Sequence, residues 1–280
     1  MNRALKTMFR SLRVRNYRIY FFAQIISMIG TWAQITAQMW LVLQLTGSGV
    51  ALGVVSALQF LPVLIGGAWG GVIADRFDKR RLLMATQGAG GLIAIALGTL
   101  TVAGVVELWM VYALAVLMGC VLVVDVPTRQ SFLTEMVGKT ELANAVGLNS
   151  TVFTTARIVG PAVSAALIST VGIGWAFMLN GFSYVAVISG LRAMDPSALM
   201  RSEPVTRTKG QLLDGLRYVW AKPVLRSSLL LMAVVGTLAF NFRIFLPLMA
   251  ESVFDGDAGT YGILSSVMGA GTLVGALIAT

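Results

Sequence analysis

An all-α polytopic membrane protein is the fold class this sequence predicts, and three observations predict it. Hydrophobic residues make up 57% of the 280 and charged residues only 12%, about half the charged share of ordinary soluble domains. Apolar runs of membrane length recur along the whole chain, and a hydrocarbon core ~30 Å thick needs roughly 20 apolar residues of helix to cross it. The charges gather in the connections between those runs, with the basic ones in alternate connections. The net charge of +9 therefore reads as membrane topology and not as a nucleic-acid surface, and no nucleic-acid partner is expected.

Taken in order, the chain opens with Arg3, Lys6, Arg10, Arg13, Arg15 and Arg18, and an apolar run follows over 19–45. That run exceeds the roughly 7–15 residues of a signal-peptide core, and no small-residue cleavage site closes it. It is read as an uncleaved first span. Further apolar runs cover 50–74, 82–106, 108–126, 142–171, 173–191, 225–249 and 259–280, giving eight expected spans. With the N-terminus placed in the cytoplasm, nineteen of the 21 Lys and Arg fall on cytoplasmic pieces, and the other two, Arg157 and Arg243, lie within spans. The outer connections carry acids instead, Glu107, Glu251, Asp255 and Asp257. Such an asymmetry sets orientation by the positive-inside rule. The expected organisation is a six-helix bundle over 1–192, a cytoplasmic linker over 193–224 and the start of a second bundle over 225–280. Within the linker, Gly210 to Ala221 sets Leu212, Leu213, Leu216, Val219 and Trp220 against Asp214 and Arg217, the pattern of an amphipathic helix on the membrane surface.

The turn between the second and third spans is the densest in charge, with six of the seven residues 75–81 ionisable. Gly71-x-x-x-Asp75-Arg76-x-Asp78-Lys79-Arg80 resembles the G-x-x-x-D-R-x-G-R-R loop signature of the major facilitator superfamily, with Asp78 in place of its glycine and Lys79 in place of an arginine. Asp125-Val126-Pro127-Thr128-Arg129, Gly30-Thr31-Trp32 and the Leu45–Ser48 run are similar to the subgroup that contains the enterobactin exporter. A weak internal repeat agrees: Gly30-Thr31-Trp32-Ala33 resembles Gly236-Thr237-Leu238-Ala239, and Leu45–Gly53 resembles Phe254–Gly262, as in transporters built from parallel halves. The resemblance implies the first six-helix bundle of the major facilitator fold plus the first two helices of the second, about eight of twelve helices. It implies secondary active transport, with export of a drug- or siderophore-like small molecule by alternating access, in a monomeric protein of the inner membrane. A scaffold or non-transporting product, or a carrier of lipid-like substrates, are the alternatives. No cofactor is expected; a proton gradient is the energy source left open.

Several polar residues inside the spans are candidates for function. Gln24, Ser27, Thr31, Gln34 and Gln38 share one helical face; such a stripe either hydrogen-bonds between helices or walls a cavity. Arg157, about 22 Å along its helix from the cytoplasmic end, lies near the bilayer centre, where a charge must face the bundle interior. It serves either as a structural tie or as a ligand for an anionic or polar substrate. Gly160-Pro161 resembles part of an antiporter signature on the fifth helix, and Pro161 removes one backbone hydrogen bond and permits a bend. Asn241 is placed on the cavity, while Arg243 is read as snorkelling towards the outer face. The resemblance assigns Gly71, Asp75, Arg76, Lys79 and Arg80 to a charge-paired gate. Asp125 is expected to join them through an ion pair with the 76–81 loop, with proton carriage as its other reading. Gly66, Gly67, Gly70 and Gly71 form two overlapping small-xxx-small pairs for helix packing. The chain has one cysteine and no histidine, so no Cys/His metal site is expected, and no hydrolase constellation is found.

Overall fold

The computed structural model describes residues 9–200, 217–238 and 241–278. A short 3-10 turn, Arg10–Arg13, leads into α1 (Arg15–Thr46), which ends where Gly47 takes a left-handed conformation and donates its N–H to the Leu43 carbonyl. After α2 (Gly49–Arg76), Asp78 caps α3 (Lys79–Val102) by accepting the Arg81 N–H at 2.9 Å, the ordinary role of an N-cap carboxylate. A helical stretch, Leu108–Thr170, follows and is broken at Gly138; its two limbs are α4 (108–137) and α5 (139–170). Then come α6 (Gly174–Ala193), α7 (Pro223–Leu238), α8 (Phe242–Ser252) and α9 (Ala258–Ile278).

Two expectations change. The connection expected between the fourth and fifth spans, over 127–141, is helical on both sides of a single residue. Asp125 and Arg129, one turn apart and ion-paired, support the helix through that stretch. The reversal falls on Gly138 alone, at φ 71° and ψ 172°, a backbone conformation open only to glycine. The seventh span, expected over 225–249, is divided into α7 and α8. Of the amphipathic segment expected over 210–221, residues 217–221 are helical and the rest lies outside the described residues.

Small residues set how closely the helices approach. A Cβ on Gly70 would run into the Val123 carbonyl of α4, and one on Gly66 would press on the Val123 side chain. The Gly66-x-x-x-Gly70 pair thus makes the α2–α4 crossing, while Gly67 faces open space. Gly160 lies directly against Trp32 of α1. It serves helix contact there, and α5 passes through Gly160-Pro161 with helical dihedrals; the sharp break is at Gly138 instead.

The buried apolar side chains form two clusters, one at each end. The cluster at the end bearing Lys79 and Arg80 contains Tyr17, Phe21, Leu83, Phe132 and Met136, all from the first six helices. At the opposite, acidic end the cluster contains Trp40, Leu97 and Phe177 together with Ala250, Ala258 and Tyr261 from the later helices. Trp40 and Tyr261 stack there with ring centroids 6.1 Å apart. Among the described residues, the later helices join a hydrophobic core only at the acidic end.

Candidate functional site

At the basic end, Lys79 Nζ and Glu135 Oε1 form a buried ion pair at 2.7 Å, with 9% and 7% of their side chains exposed. Arg80 donates to the Leu191 and Arg192 carbonyls at the end of α6, at 2.5 and 3.0 Å. This satisfies helix-terminal carbonyls that the last turn leaves without partners. The charged turn therefore ties the start of α3 to α4 and to α6. Gly71 and Asp75 are half-buried and Arg76 is exposed.

Asp125 pairs elsewhere, and the ion pair expected with the 76–81 loop is not the one it makes. Its Oδ1 accepts from Thr86 Oγ1 and Gln87 Nε2, each at 2.7 Å, and its Oδ2 accepts from Arg129 Nη2 at 2.8 Å and Nε at 3.2 Å. Arg129 Nη1 also donates to the Tyr20 hydroxyl at 3.1 Å. The reason is reach: Arg129 stands one turn along the same helix, and two α3 donors face the carboxylate. A buried charge is tolerated when its lone pairs are all engaged in this way. Arg129, Tyr20, Thr86 and Gln87 were not singled out from sequence; the Asp125-x-x-x-Arg129 spacing was the signal for the first.

Two cavities meet at this network. One, of about 380 Å³, is lined by Tyr20, Gln24, Arg129, Leu133, Asn149 and Phe153 among others. The second, of about 300 Å³, runs past Gln24, Thr31, Asp125 and Arg129 to Trp32 and Arg243. Gln24, Met28, Arg129, Gln130 and Phe153 border both. The Gln24 side-chain oxygen is buried with no hydrogen-bond partner.

The polar stripe of α1 thus divides along its length. Gln24 and Thr31 line the cavity. Gln34 accepts a 2.7 Å hydrogen bond from Asn180 Nδ2 of α6 and acts as interhelical glue. Gln38 is buried at 5% exposure within the closed end. Asn241 precedes α8 and lines a different space, about 640 Å³, with Gly53, Ser56, Phe60 and Arg243.

At the far end of the 300 Å³ cavity, two arginines approach the Trp32 ring. The guanidinium carbon of Arg157 is 5.8 Å from the centre of its ring, and that of Arg243 is 5.3 Å from it. Arg243 is also 5.9 Å from the Phe60 ring. Arg243 accordingly turns inward onto the site, where snorkelling was expected. Neither arginine has a carboxylate partner among the described residues, and Arg157 Nε is buried without a hydrogen bond. A charge at the bilayer centre costs at least ~2.5 kcal/mol, and a cation–π contact returns about 0.5–2 kcal/mol. Shared between two cations, the Trp32 ring does not by itself offset both. Pro161 has no N–H to give the Arg157 carbonyl, and Gly269 of α9 packs close to that oxygen.

Comparison with known proteins agrees with this architecture. The transmembrane secretion effector family matches residues 6–280. The staphyloferrin A transporter of Staphylococcus aureus is 24% identical over 93% of this chain and 66% of its own length. The multidrug efflux pump Tap of Mycolicibacterium fortuitum is 30% identical over 83% of this chain and 57% of its own. The enterobactin exporter EntS of Escherichia coli is 24% identical over 93% and 62%. A solved bacterial homologue of the human lysosomal transporter Spinster, in an inward-facing, unoccupied conformation, superposes with a TM-score of 0.66 at 17% identity, over 95% of this chain and 62% of that one. The chain spans between 51% and 66% of the length of curated relatives it matches. With its all-helical spans and the match along nearly its whole length, the chain is a multi-pass membrane protein that belongs to the transmembrane secretion effector family of the major facilitator superfamily.

Proposed function

We propose that this chain forms part of a secondary active transporter that exports a small, drug- or siderophore-like organic compound by alternating access. The cavity carries this reading. It is walled by Gln24, Thr31 and the Asp125–Arg129 pair, and it is closed towards the acidic end by the core that contains Trp40 and Tyr261. The basic end has no such closure from α7–α9 among the described residues. A cavity closed towards one end by helices of both halves fits one of the two states an alternating-access carrier needs, and a substrate shifts the balance only by its different affinity for the two. We place the basic end in the cytoplasm, because nineteen of the 21 Lys and Arg fall on that side or in its connections. On this reading the chain lies in the plasma (inner) membrane, and a siderophore transporter and a drug efflux pump are among the proteins it resembles.

Transport into inside-out vesicles tests the reading, with a panel of dyes and iron chelators supplied with and without an imposed pH gradient. Accumulation of at least one compound above protein-free vesicles is the expected result. Absence of accumulation for the whole panel, from protein that is folded and inserted, would reject it. Orientation is tested separately in a Cys120→Ser background, since the native thiol is exposed. Cysteines at Ser48 and Asp257 should react with impermeant reagents from outside intact cells, and a cysteine at Asp78 should not.

A further inference from the structure

The geometry points to a binding site for a carboxylate or similar organic anion at Trp32, held between Arg157 and Arg243; this deepens the transport reading by naming the charge class of its substrate. The argument is one of charge balance in a confined space. Among residues lining the 300 Å³ cavity and the small pocket of about 30 Å³ beside Trp32, Asp125 is the sole carboxylate. Both its oxygens are engaged, and its charge is matched by Arg129. Arg157 and Arg243 remain without a counter-charge among the described residues, and both lie within 6 Å of one indole ring, at 5.8 and 5.3 Å.

Two guanidiniums brought to a shared ring repel each other, and an anion placed between them removes that repulsion while accepting hydrogen bonds from both. The planar donor fork of arginine suits a carboxylate, and such charge-assisted bonds are stronger than neutral ones. Arg157 Nε already presents a buried N–H with no acceptor. The small pocket holds little more than a water or two, so the anionic group fits there and the rest of the molecule extends into the larger cavity. That cavity offers Met28, Leu122 and Phe153 as apolar and aromatic walls, with Gln24 and Thr31 as polar ones. The class implied is an amphipathic organic anion with an aromatic or apolar body. Trp32 and Phe153, which meet edge to face, give the body aromatic surface to pack against.

The test is equilibrium binding to the purified chain in lipid nanodiscs with three probes of one shape and different charge: naphthoate, its amide, and naphthylmethylamine. Naphthoate should bind at least about tenfold more tightly than the other two, as charge-assisted contacts to two guanidiniums require. Arg157→Gln and Arg243→Gln should each weaken naphthoate by about tenfold or more and weaken the amide by several-fold less. Arg243→Lys, which retains charge and loses the fork, should fall between wild type and Arg243→Gln. Equal or tighter binding of the amide or the amine to the wild-type chain would overturn the proposal, and this comparison needs no variant to fold. Undiminished naphthoate binding by the Arg157→Gln/Arg243→Gln double variant would overturn it too. Binding that depends on the arginines, without accumulation of naphthoate in vesicles, would stand against transport of that compound and leave the site intact.

Discussion

The two ends of the cavity handle buried charge in opposite ways. Around Asp125 every charge is matched: Arg129 faces the carboxylate, Thr86 and Gln87 complete it, and Tyr20 accepts from the third guanidinium nitrogen. Lys79 and Glu135 repeat this one layer nearer the basic end. Around Trp32, two cations lie close together and the nearest groups are aromatic. Removing one member of a satisfied pair strands the other, whereas removing an unmatched charge strands nothing. The first arrangement holds helices together; the second stores a need that a ligand can meet.

Stability measurements on single variants test this contrast. The largest effect is expected for Lys79→Met, which leaves the Glu135 carboxylate buried and alone at a cost of about 3–5 kcal/mol. A large fall in Tm in detergent should result, with most of it recovered in Lys79→Met/Glu135→Leu. Asp125→Asn follows, at roughly 1.5–3 kcal/mol, because the amide oxygen still accepts and the Arg129 side chain is 22% exposed where Lys79 is 9%; thermal unfolding monitored by circular dichroism should show a clear but smaller drop. Gln34→Leu removes one interhelical bond to Asn180, and bonds of that kind average about 0.6 kcal/mol inside membranes, so its Tm should barely move. Arg157→Gln comes last: Tm should be unchanged or slightly raised, because the charge it removes has no carboxylate to lose. If Arg157→Gln proves as damaging as Asp125→Asn, the contrast fails.

Much of this was legible in the sequence, and the residues show where legibility stops. Hydropathy places α1 through α6 because lipid imposes span length on each segment independently. Arg157 announces itself because a charge inside an apolar run has few reasons to be there. Arg243 carries the same signal but reads as a residue near the end of an unbroken span, and its place over Trp32 depends on how α8 packs against α1. The Asp125 partner was within reach, since i,i+4 spacing is local. The Lys79–Glu135 pair was not, because it depends on how α3 and α4 pack across 56 residues of sequence. The polar stripe of α1 shows the same limit: periodicity puts Gln24 and Gln34 on one face, but which neighbour each meets is decided by α4, α5 and α6.

The turn at Gly138 has a further consequence, for the rotational phase of the helix that follows it. A flexible loop would let α5 spin about its axis to suit its neighbours; a corner one residue long fixes it. Each residue added or removed there would rotate α5 by about 100°, since a helix takes 3.6 residues per turn. Such a rotation would carry Arg157 away from Trp32 and lift Gly160 off α1. The azimuth of the arginine facing the cavity is thus set by chain length at the basic end of the bundle, where Met200 covers the glycine with its sulfur 2.7 Å from where a Cβ would stand. Insertions and deletions should be excluded from this corner more strictly than substitutions are from the cavity itself.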